Sequence, residues 1–161
     1  MRDMKIGVAG CAGRMGQTLL QHIHNTQGCV VSGGSEFPDH TSIGTDVGMI
    51  AGLRELGIKV TDTPALLFEA SDAVIDFTAP ESTVENARCA GNTETILIAG
   101  TTGLSMADTK YLKTASRKTP IVYAANMSVG VNVLIEVVRQ VANLLPADQF
   151  DIEITEVHHR D

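Results

Sequence analysis

The sequence predicts an α/β protein built on a doubly wound, mainly parallel sheet. Strand-like and helix-like segments alternate along the 161 residues, and several strand candidates, such as residues 73–77 and 95–99, are near-continuous apolar runs. Such runs are typical of strands that are covered on both faces, as parallel strands are. A glycine-rich turn at residues 10–16 also separates the first strand candidate from the first helix candidate. Together these features favour helices on both faces of one sheet, joined by right-handed crossovers.

The order of the elements follows from hydrophobic periodicity and from local start and stop signals. The strand candidates are residues 4–9, 29–33, 58–61, 72–77, 95–99, 120–124 and 150–157, and the helix candidates are residues 14–24, 64–70, 80–90, 105–117 and 128–145. Pro64 and Pro80 fall where a helix tolerates proline in its first turn. Ser105 and Asp108 resemble a capping box, with Asp in place of the usual Glu.

One stretch is less regular than the rest. Residues 34–57 are glycine-rich and weakly periodic, which predicts a loop with a helical turn near residues 48–54.

The last helix candidate carries an apolar stripe at helical spacing, and we expect this stripe to lie in the core. The stripe consists of Val129, Val133, Val137, Val141 and Leu144.

Composition indicates one globular domain, comprising residues 1–161. The hydrophobic fraction is 43% and the charged fraction 19%, which is typical of a chain with a packed core. The net charge of −7 disfavours a nucleic-acid partner. No apolar run is long enough to cross a bilayer, and no signal peptide precedes the first strand candidate, so we expect no membrane partner and a cytoplasmic location.

The three cysteines, Cys11, Cys29 and Cys89, show no metal-ligand spacing, and no metal site is predicted. Cys29 and Cys89 are interpreted as small core residues in a reducing compartment. Cys11 lies inside the glycine-rich turn, where filling a slot for a small side chain is favoured over catalysis.

Residues 10–16 have the chemistry of a dinucleotide-binding turn of Rossmann-like folds. Gly10 would allow the tight turn, Gly13 the close approach of a phosphate, and Gly16 the close packing of helix on strand. N–H groups at the start of the helix would face the anion, helped by the positive end of the helix dipole. Glu36 follows Gly16 by twenty residues, at the position of an acid that binds ribose hydroxyls. The alternative is a glycine-rich turn without a ligand.

Three further short segments directly follow strand candidates. They are Phe77-Thr78, Gly100-Thr-Thr-Gly103 and Ala125-Asn-Met127. In doubly wound sheets, ligands bind beyond the carboxyl ends of the strands, so these segments are candidates for a shared site. Taken singly, the segment from Gly100 could equally be a simple turn, and Asn126 could merely hydrogen-bond its own loop.

The sequence closes with His158-His159-Arg160, after a strand candidate that carries alternating acids. A histidine pair at the end of a strand could be solvated surface, a metal site or a general acid. Without further context, solvated surface is favoured. A metal site is least favoured, because no cysteine or carboxylate cluster accompanies the pair at a recognisable spacing.

Five motifs occur in order along the sequence. They are Val8-Ala-Gly-x-x-Gly-Arg-Met-Gly16, Ile75-Asp-Phe-Thr-x-Pro80, Gly100-Thr-Thr-Gly103, Ala124-Ala-Asn-x-Ser-Val-Gly-Val-Asn132 and Glu156-x-His-His-Arg160. Taken together, these motifs resemble those of the dihydrodipicolinate reductases. This family reduces a cyclic, unsaturated dicarboxylate in the diaminopimelate route to lysine, with NADH or NADPH as cofactor. The resemblance implies a Rossmann-like domain that is followed, in the full chain, by a second domain for substrate binding and homotetramer formation.

The resemblance also implies roles for individual residues. Residues 10–15 would hold the pyrophosphate, Glu36 the adenosine ribose, and residues 100–102 and 124–127 would flank the nicotinamide. The full set of implied cofactor-binding residues is Gly10, Cys11, Ala12, Gly13, Arg14, Met15, Gly16, Glu36, Phe77, Thr78, Gly100, Thr101, Thr102, Ala124, Ala125, Asn126 and Met127.

The closing motif would carry the chemistry on the substrate. His158 resembles the family's catalytic proton donor, His159 a contact to a substrate carboxylate, and Arg160 a cationic contact of second rank. Hydride transfer to a ring leaves electron density that a proton must quench, and histidine can supply that proton near neutral pH.

The sequence departs from the family pattern in two places. Family members continue after His-His-Arg with a lysine and a Pro-Ser-Gly-Thr stretch that binds substrate, whereas this sequence ends at Asp161. We therefore expect these 161 residues alone to bind cofactor without catalysing the reaction. Phe37 stands where many relatives have a basic residue that pairs with the 2′-phosphate of NADPH, which predicts a preference for NADH.

Two alternatives remain open. One is another nicotinamide-dependent dehydrogenase, of the homoserine or semialdehyde type. The other is a module that binds NAD without turnover.

Overall fold

A computed structural model describes residues 2–146, 148–155 and 157 of the chain. The chain divides into two units, Met1–Ala125 and Asn126–Asp161. The first unit contains the strands β1 (Met4–Ala9), β2 (Cys29–Ser35), β3 (Ala73–Asp76), β4 (Ile96–Ala99) and β5 (Ile121–Tyr123), and the helices α1 (Arg14–Asn25), α2 (Val47–Ile50), α3 (Pro64–Glu69), α4 (Pro80–Thr93) and α5 (Met106–Ala115). The second unit contains the helix α6 (Val129–Leu144).

The five strands form one parallel sheet in the order β2-β1-β3-β4-β5. The chain leaves β1 toward one edge of the sheet and returns on the other side of β1 to form β3. The strand order therefore reverses between β1 and β3, and this reversal leaves a crevice at their carboxyl ends where such folds bind ligands. The predicted Rossmann-like, doubly wound fold is confirmed.

The sheet is covered on both faces, as its apolar strands predict. Successive side chains of a strand point to opposite faces, and Val8 and Ala9 of β1 accordingly belong to two different hydrophobic clusters. The cluster around Val8 includes Leu20 of α1 and Val47 of α2. The cluster around Ala9 includes Phe68 of α3 and Leu97 of β4.

The helix signals of the sequence are largely confirmed. Pro64 and Pro80 lie in the first turns of α3 and α4. Ser105 caps α5, and its reciprocal bonds with Asp108 form a complete capping box, so Asp replaces Glu there without loss of the motif. Helix α4 runs three residues beyond the predicted end, to Thr93, and stops at Glu94, which has a left-handed backbone. No helix in the described part of the chain is long and apolar enough to span a bilayer.

The predicted strand at residues 58–61 is wrong. The structure has only isolated bridges there, Asp46 with Lys59 and Ser35 with Thr61. The Ile58 N–H donates to the Asp46 carboxylate and the Val60 N–H to the carbonyl of Thr45, both in the neighbouring loop, while the Thr61 N–H donates to the Gly34 carbonyl of β2. The alternation of apolar and polar residues at 58–61 fits a half-buried segment, but it does not show whether a strand or a loop lies beside it.

Asp46 organises the loop that replaces this strand. Its Oδ1 accepts from the N–H groups of Gly48 and Leu56 at 2.8 and 3.0 Å, and its Oδ2 accepts from Ile58 at 2.9 Å. Desolvation acts to raise the pKa of Asp46, but these backbone donors outweigh it, so the pKa lies below its ordinary value. One side chain thus caps α2, which is only four residues long, and also fixes the chain ten to twelve residues further on.

Replacing Asp46 with alanine is expected to lower the free energy of unfolding by about 2 kcal/mol at pH 7, because a helix cap and two further backbone bonds are lost. A lowered pKa in the folded state means that the stabilisation is present above the ordinary carboxyl pKa. It is lost as the pH falls through the folded-state value. Urea unfolding at pH 7 and pH 3 measures both effects, with Asp3→Ala, an exposed carboxylate, as the control for charge. Equal stability of Asp46→Ala and Asp3→Ala at pH 7 would contradict this role.

The apolar stripe of α6 does not lie in a core, which corrects a second prediction. Helix α6 has no buried residue, and Val129, Val133, Val137, Val141 and Leu144 are all exposed, Leu144 to 81%. Helical spacing identifies the face that suits burial, but it does not supply the surface that covers it.

The predicted strand at residues 150–157 is also not found in the described residues, which have no strand between 150 and 155 or at 157. Before this segment, the N–H groups of Gln149 and Phe150 donate to the Pro146 carbonyl in a turn after α6. A strand exists only where a neighbour completes its ladder, and alternating side chains do not reveal whether that neighbour is present.

Candidate functional site

The glycine-rich turn joins β1 to α1 and is anchored to the end of β2. The N–H groups of Gly10 and Cys11 both donate to the Ser35 carbonyl, at 2.8 and 3.2 Å. Gly10 has φ +68, a left-handed conformation that an L side chain rarely adopts. The sequence prediction that this glycine permits the tight turn is in keeping with that geometry.

Two further glycines of the turn differ in how much room surrounds them. A Cβ at Gly16 would lie 2.1 Å from the Gly10 carbonyl oxygen, so only glycine lets α1 pack this closely on the turn. A Cβ at Gly13 would lie 3.4 Å from the same oxygen, and Gly13 has an ordinary φ of −69. The protein itself therefore leaves space for a side chain at Gly13.

Glu36 reaches the turn directly. Its Oε1 accepts a hydrogen bond from the N–H of Ala12 at 2.8 Å. The acid that follows β2 and the backbone of the turn thus lie side by side. The sequence separation placed Glu36 at this edge, but the bond to Ala12 was not predicted.

Cys11 contributes its backbone to the turn, while its side chain belongs to the core. The Cys11 side chain is fully buried, and a Cβ at Gly34 would lie 2.7 Å from its sulfur. Burial, with a smaller effect of the Glu36 charge, raises the pKa of Cys11 to about 12. A thiol in this state is a poor nucleophile, which supports the prediction of a packing role.

A cavity of about 660 Å³ opens beside the turn, at the carboxyl ends of β1, β2 and β3. Six residues expected from the sequence line it directly: Gly10, Ala12, Gly13, Glu36, Phe77 and Thr78. The sequence did not single out the rest of the wall, which includes Pro38, Asp62, Pro64, Ser82, Glu85 and Asn86. These residues come from loops, from the start of α3 and from the first two turns of α4, where no binding motif marks them.

An aromatic pair lies at one side of this cavity. The rings of Phe37 and His40 meet edge to face with centroids 4.9 Å apart, and both residues line the wall. The Ser42 N–H donates to His40 Nδ1 at 3.1 Å, which leaves Nε2 as the protonated nitrogen of the neutral ring. Phe37 is 62% exposed, so an apolar ring occupies the position directly after Glu36.

These features match a known family. A family model described as "Dihydrodipicolinate reductase, N-terminus" matches residues 4–127. The chain belongs to the dihydrodipicolinate reductase family. It is 41% identical over 160 residues to the 4-hydroxy-tetrahydrodipicolinate reductase of Rhizobium meliloti, covering 99% of this chain and 66% of that protein. It is 45% identical over 159 residues to the enzyme of the same name from Parvibaculum lavamentivorans, covering 98% of this chain and 58% of that protein.

Solved structures agree on the fold. A dipicolinate-bound dihydrodipicolinate reductase from Paenisporosarcina sp. TG-14 aligns with a TM-score of 0.69 at 16% identity, covering 87% of this chain and 54% of that one. An amine dehydrogenase from Mycobacterium smegmatis aligns with a TM-score of 0.60 at 19% identity, covering 75% and 38%. At these identities the likeness concerns the fold alone. The chain spans 58% to 66% of the length of the curated reductases compared with it above.

The segment after β4 is the next part of the reductase motif set. The Phe77 ring packs so closely on Gly100 that a Cβ there would lie 2.1 Å from Cε1. Thr101 is buried, and its hydroxyl oxygen accepts from the Thr83 hydroxyl at 2.7 Å, whereas Thr102 is exposed. Gly100, Thr101 and Thr102 do not line the cavity beside the glycine-rich turn, and their cofactor role stays a prediction.

The segment after β5 divides between the two units. Ala124 donates its N–H to the Ala99 carbonyl at 3.1 Å, in register with the end of the sheet. Asn126 belongs to the second unit, where its side-chain oxygen accepts from the Ser128 N–H at 2.8 Å. Asn126 therefore makes the local loop bond that was the alternative to ligand binding. His158, His159 and Arg160 lie outside the described residues.

Proposed function

We propose that this protein is the cofactor-binding part of a reductase. The reaction would be NADH- or NADPH-dependent reduction of 4-hydroxy-tetrahydrodipicolinate or dihydrodipicolinate to tetrahydrodipicolinate, in the diaminopimelate route of lysine biosynthesis. The observation that carries the proposal is the contact of Glu36 with the glycine-rich turn at the mouth of the cavity. Membership of the reductase family is the reason for assigning this reaction to the site. The same membership argues against a homoserine or semialdehyde dehydrogenase.

The residues of the site fit a dinucleotide. Gly10 and Gly13 present bare backbone to the cavity, and α1 starts directly behind them. The first N–H groups of a helix have no partner within it and attract phosphate. Glu36 would accept hydrogen bonds from ribose hydroxyls, exchanging its bond to Ala12 for them. When bound, the nicotinamide supplies a hydride.

The substrate side of the proposal rests on the family resemblance. His158 would hold the proton that follows hydride transfer, and His159 and Arg160 would meet the substrate's carboxylates. A small cyclic dicarboxylate is the proposed partner, with no role for nucleic acid or membrane. A homotetramer of the full-length protein and a cytoplasmic location are also part of the proposal.

The test is turnover by the full-length gene product. Dihydrodipicolinate-dependent oxidation of NADH or NADPH is the expected result. Absence of turnover by a folded protein that binds the cofactor would instead favour the non-catalytic NAD-binding module. The intact mass of the purified protein, compared with the length of its open reading frame, shows which polypeptide is being assayed.

Cofactor preference is the finer part of the proposal. Glu36 can accept from a ribose 2′-OH but repels a 2′-phosphate, and the exposed Phe37 ring supplies no compensating charge. We expect NADH to bind about tenfold more tightly than NADPH, worth ~1.4 kcal/mol. His40 lines the same wall, and its Nε2 could donate to the 2′-phosphate of NADPH, which would reduce the difference in affinity between the two cofactors. Competitive titration of the two cofactors at physiological salt measures the ratio, and tighter binding of NADPH would contradict it.

A single substitution tests the cause of this preference. Phe37→Arg should raise the affinity for NADPH and leave that for NADH nearly unchanged, because arginine pairs with phosphate. Met49→Arg is the matched control: Met49 is 59% exposed, and the change adds the same charge outside the cavity wall. An equal gain from both variants would show that net charge, rather than the position after Glu36, sets the preference.

A further inference from the structure

Asp76 is a fully buried carboxylate at the carboxyl end of β3. Its Oδ1 accepts from the N–H of Thr78 at 2.9 Å and from the Thr78 hydroxyl at 2.6 Å, and its Oδ2 accepts from the Asn86 amide at 3.0 Å. All three donors are neutral. A charge costs free energy to remove from water, and β3 otherwise consists of the apolar residues Ala73, Val74 and Ile75. Packing alone would be served by another apolar residue.

The bonds of Asp76 fix how Thr78 faces the glycine-rich turn. With its hydroxyl held by Asp76, Thr78 directs its Cγ2 methyl to Gly10, where a Cβ would lie only 2.8 Å from that methyl. Thr78 and Gly10 both line the cavity. Asp76 therefore acts, through the Thr78 side chain, on the part of the cavity wall that Thr78 and Gly10 form.

Asp76 also joins two other elements at the same place. Asn86 of α4 lines the cavity and donates to the Asp76 carboxylate. The Asp76 carbonyl accepts from the N–H of Gly100 at 2.8 Å, and Gly100 begins the segment that follows β4. The turn after β3, helix α4 and the loop after β4 thus meet at one residue.

We infer that Asp76 is a positioning residue for the dinucleotide site. It holds Thr78 against Gly10 and keeps Asn86 in the cavity wall, and so sets the shape of the surface that the cofactor's phosphates approach. This inference rests on the proposed function. Asp76 itself touches no ligand, because it is buried beneath that surface.

Two variants and their combination test the inference by calorimetric titration with NADH. Thr78→Val removes the hydroxyl donor and keeps a methyl toward Gly10, and we expect it to weaken NADH binding about tenfold. Asp76→Ala should weaken binding at least as much. Since Asp76 acts largely through Thr78, the double variant should bind about as weakly as Asp76→Ala, whereas independent sites would give additive losses.

Thr119→Val is the matched control, because it also removes a hydrogen-bonding threonine hydroxyl, one that is buried and donates to the Thr95 carbonyl at 2.9 Å outside the cavity. It should lose thermal stability as Thr78→Val does but keep its affinity for NADH. Undiminished binding by a folded Thr78→Val, or an equal loss in Thr119→Val, would overturn the inference, even if Asp76→Ala fails to fold. Failure of the wild-type protein to bind NADH would overturn the proposed function as well, which separates the two results.

Discussion

Gly13→Val is expected to weaken NADH binding about 100-fold, or ~2.7 kcal/mol, while the protein stays folded. Gly13 has an ordinary φ of −69, and its nearest contact to a new Cβ would be 3.4 Å, so the fold accepts a side chain there. The affinity for NADH should fall, because the valine methyl groups would occupy the space through which a phosphate approaches the start of α1. Calorimetry with NADH and circular dichroism of the same sample measure the two effects.

Gly91→Val is the control for this variant. Gly91 lies in α4 away from the cavity wall, and a Cβ there would meet only Lys118 Cδ at 3.6 Å. Valine has a somewhat higher helix propensity than glycine and meets no clash there, so the stability should be unchanged or slightly raised and the NADH affinity should stay intact. The phosphate site would be wrongly placed if a folded Gly13→Val protein bound NADH as the wild type does.

Gly16→Val should disrupt the turn itself, unlike Gly13→Val, although both glycines belong to one motif. A Cβ at Gly16 would lie 2.1 Å from a backbone oxygen that cannot move without opening the turn. The sequence distinguishes these two roles only through the known spacing of dinucleotide-binding turns. The structure supplies the physical reason for each.

The elements that the sequence located best are those whose own residues determine them. Strand β1 begins and ends where predicted because an apolar run stops at a left-handed glycine. Helix α5 begins after Ser105 because its cap is made by side chains three residues apart. Local chemistry decides such boundaries, so a single sequence contains the information.

Elements that depend on a distant partner were predicted less well. Residues 58–61 alternate as a strand does, but the N–H groups of Ile58 and Val60 donate to Asp46 and Thr45 of the neighbouring loop. The α6 stripe has the right spacing for a core and is nevertheless exposed. In both cases the pattern describes what a segment can do, whereas its partner determines what it does.

The same distinction applies to the candidate site. Glu36, Gly10 and Gly13 follow from motif spacing and do line one cavity. Asp76 belongs to the motif that begins at Ile75, but the motif alone assigns it no role. A role follows only from its hydrogen bonds with Thr78 and Asn86, which the sequence does not reveal. One acid within an otherwise apolar strand was the available signal.

His158→Ala in the full-length protein is expected to lower kcat by about 10²–10⁴-fold, the usual contribution of a positioned general acid. Affinity for NADH should change little, because the proposed cofactor contacts are made by the glycine-rich turn and Glu36, which line the cavity. The effect would therefore appear in kcat and kcat/KM together, as for an interaction made only in the transition state. A full-length variant of undiminished kcat would remove His158 from the mechanism.

When the 161 residues are expressed alone, we expect them to bind NADH but not to catalyse the reaction. Correct placement of the reacting groups accounts for ~7–11 kcal/mol of a barrier, and it requires substrate, hydride donor and proton donor to be held together. The cavity beside the glycine-rich turn is the proposed cofactor site, and the matched reductases contain a further third or more of chain that these residues do not cover. Dihydrodipicolinate-dependent NADH oxidation, assayed beside NADH titration of the same sample, tests this expectation. Appreciable turnover would show that the described cofactor unit and the closing His-His-Arg motif suffice to place the substrate.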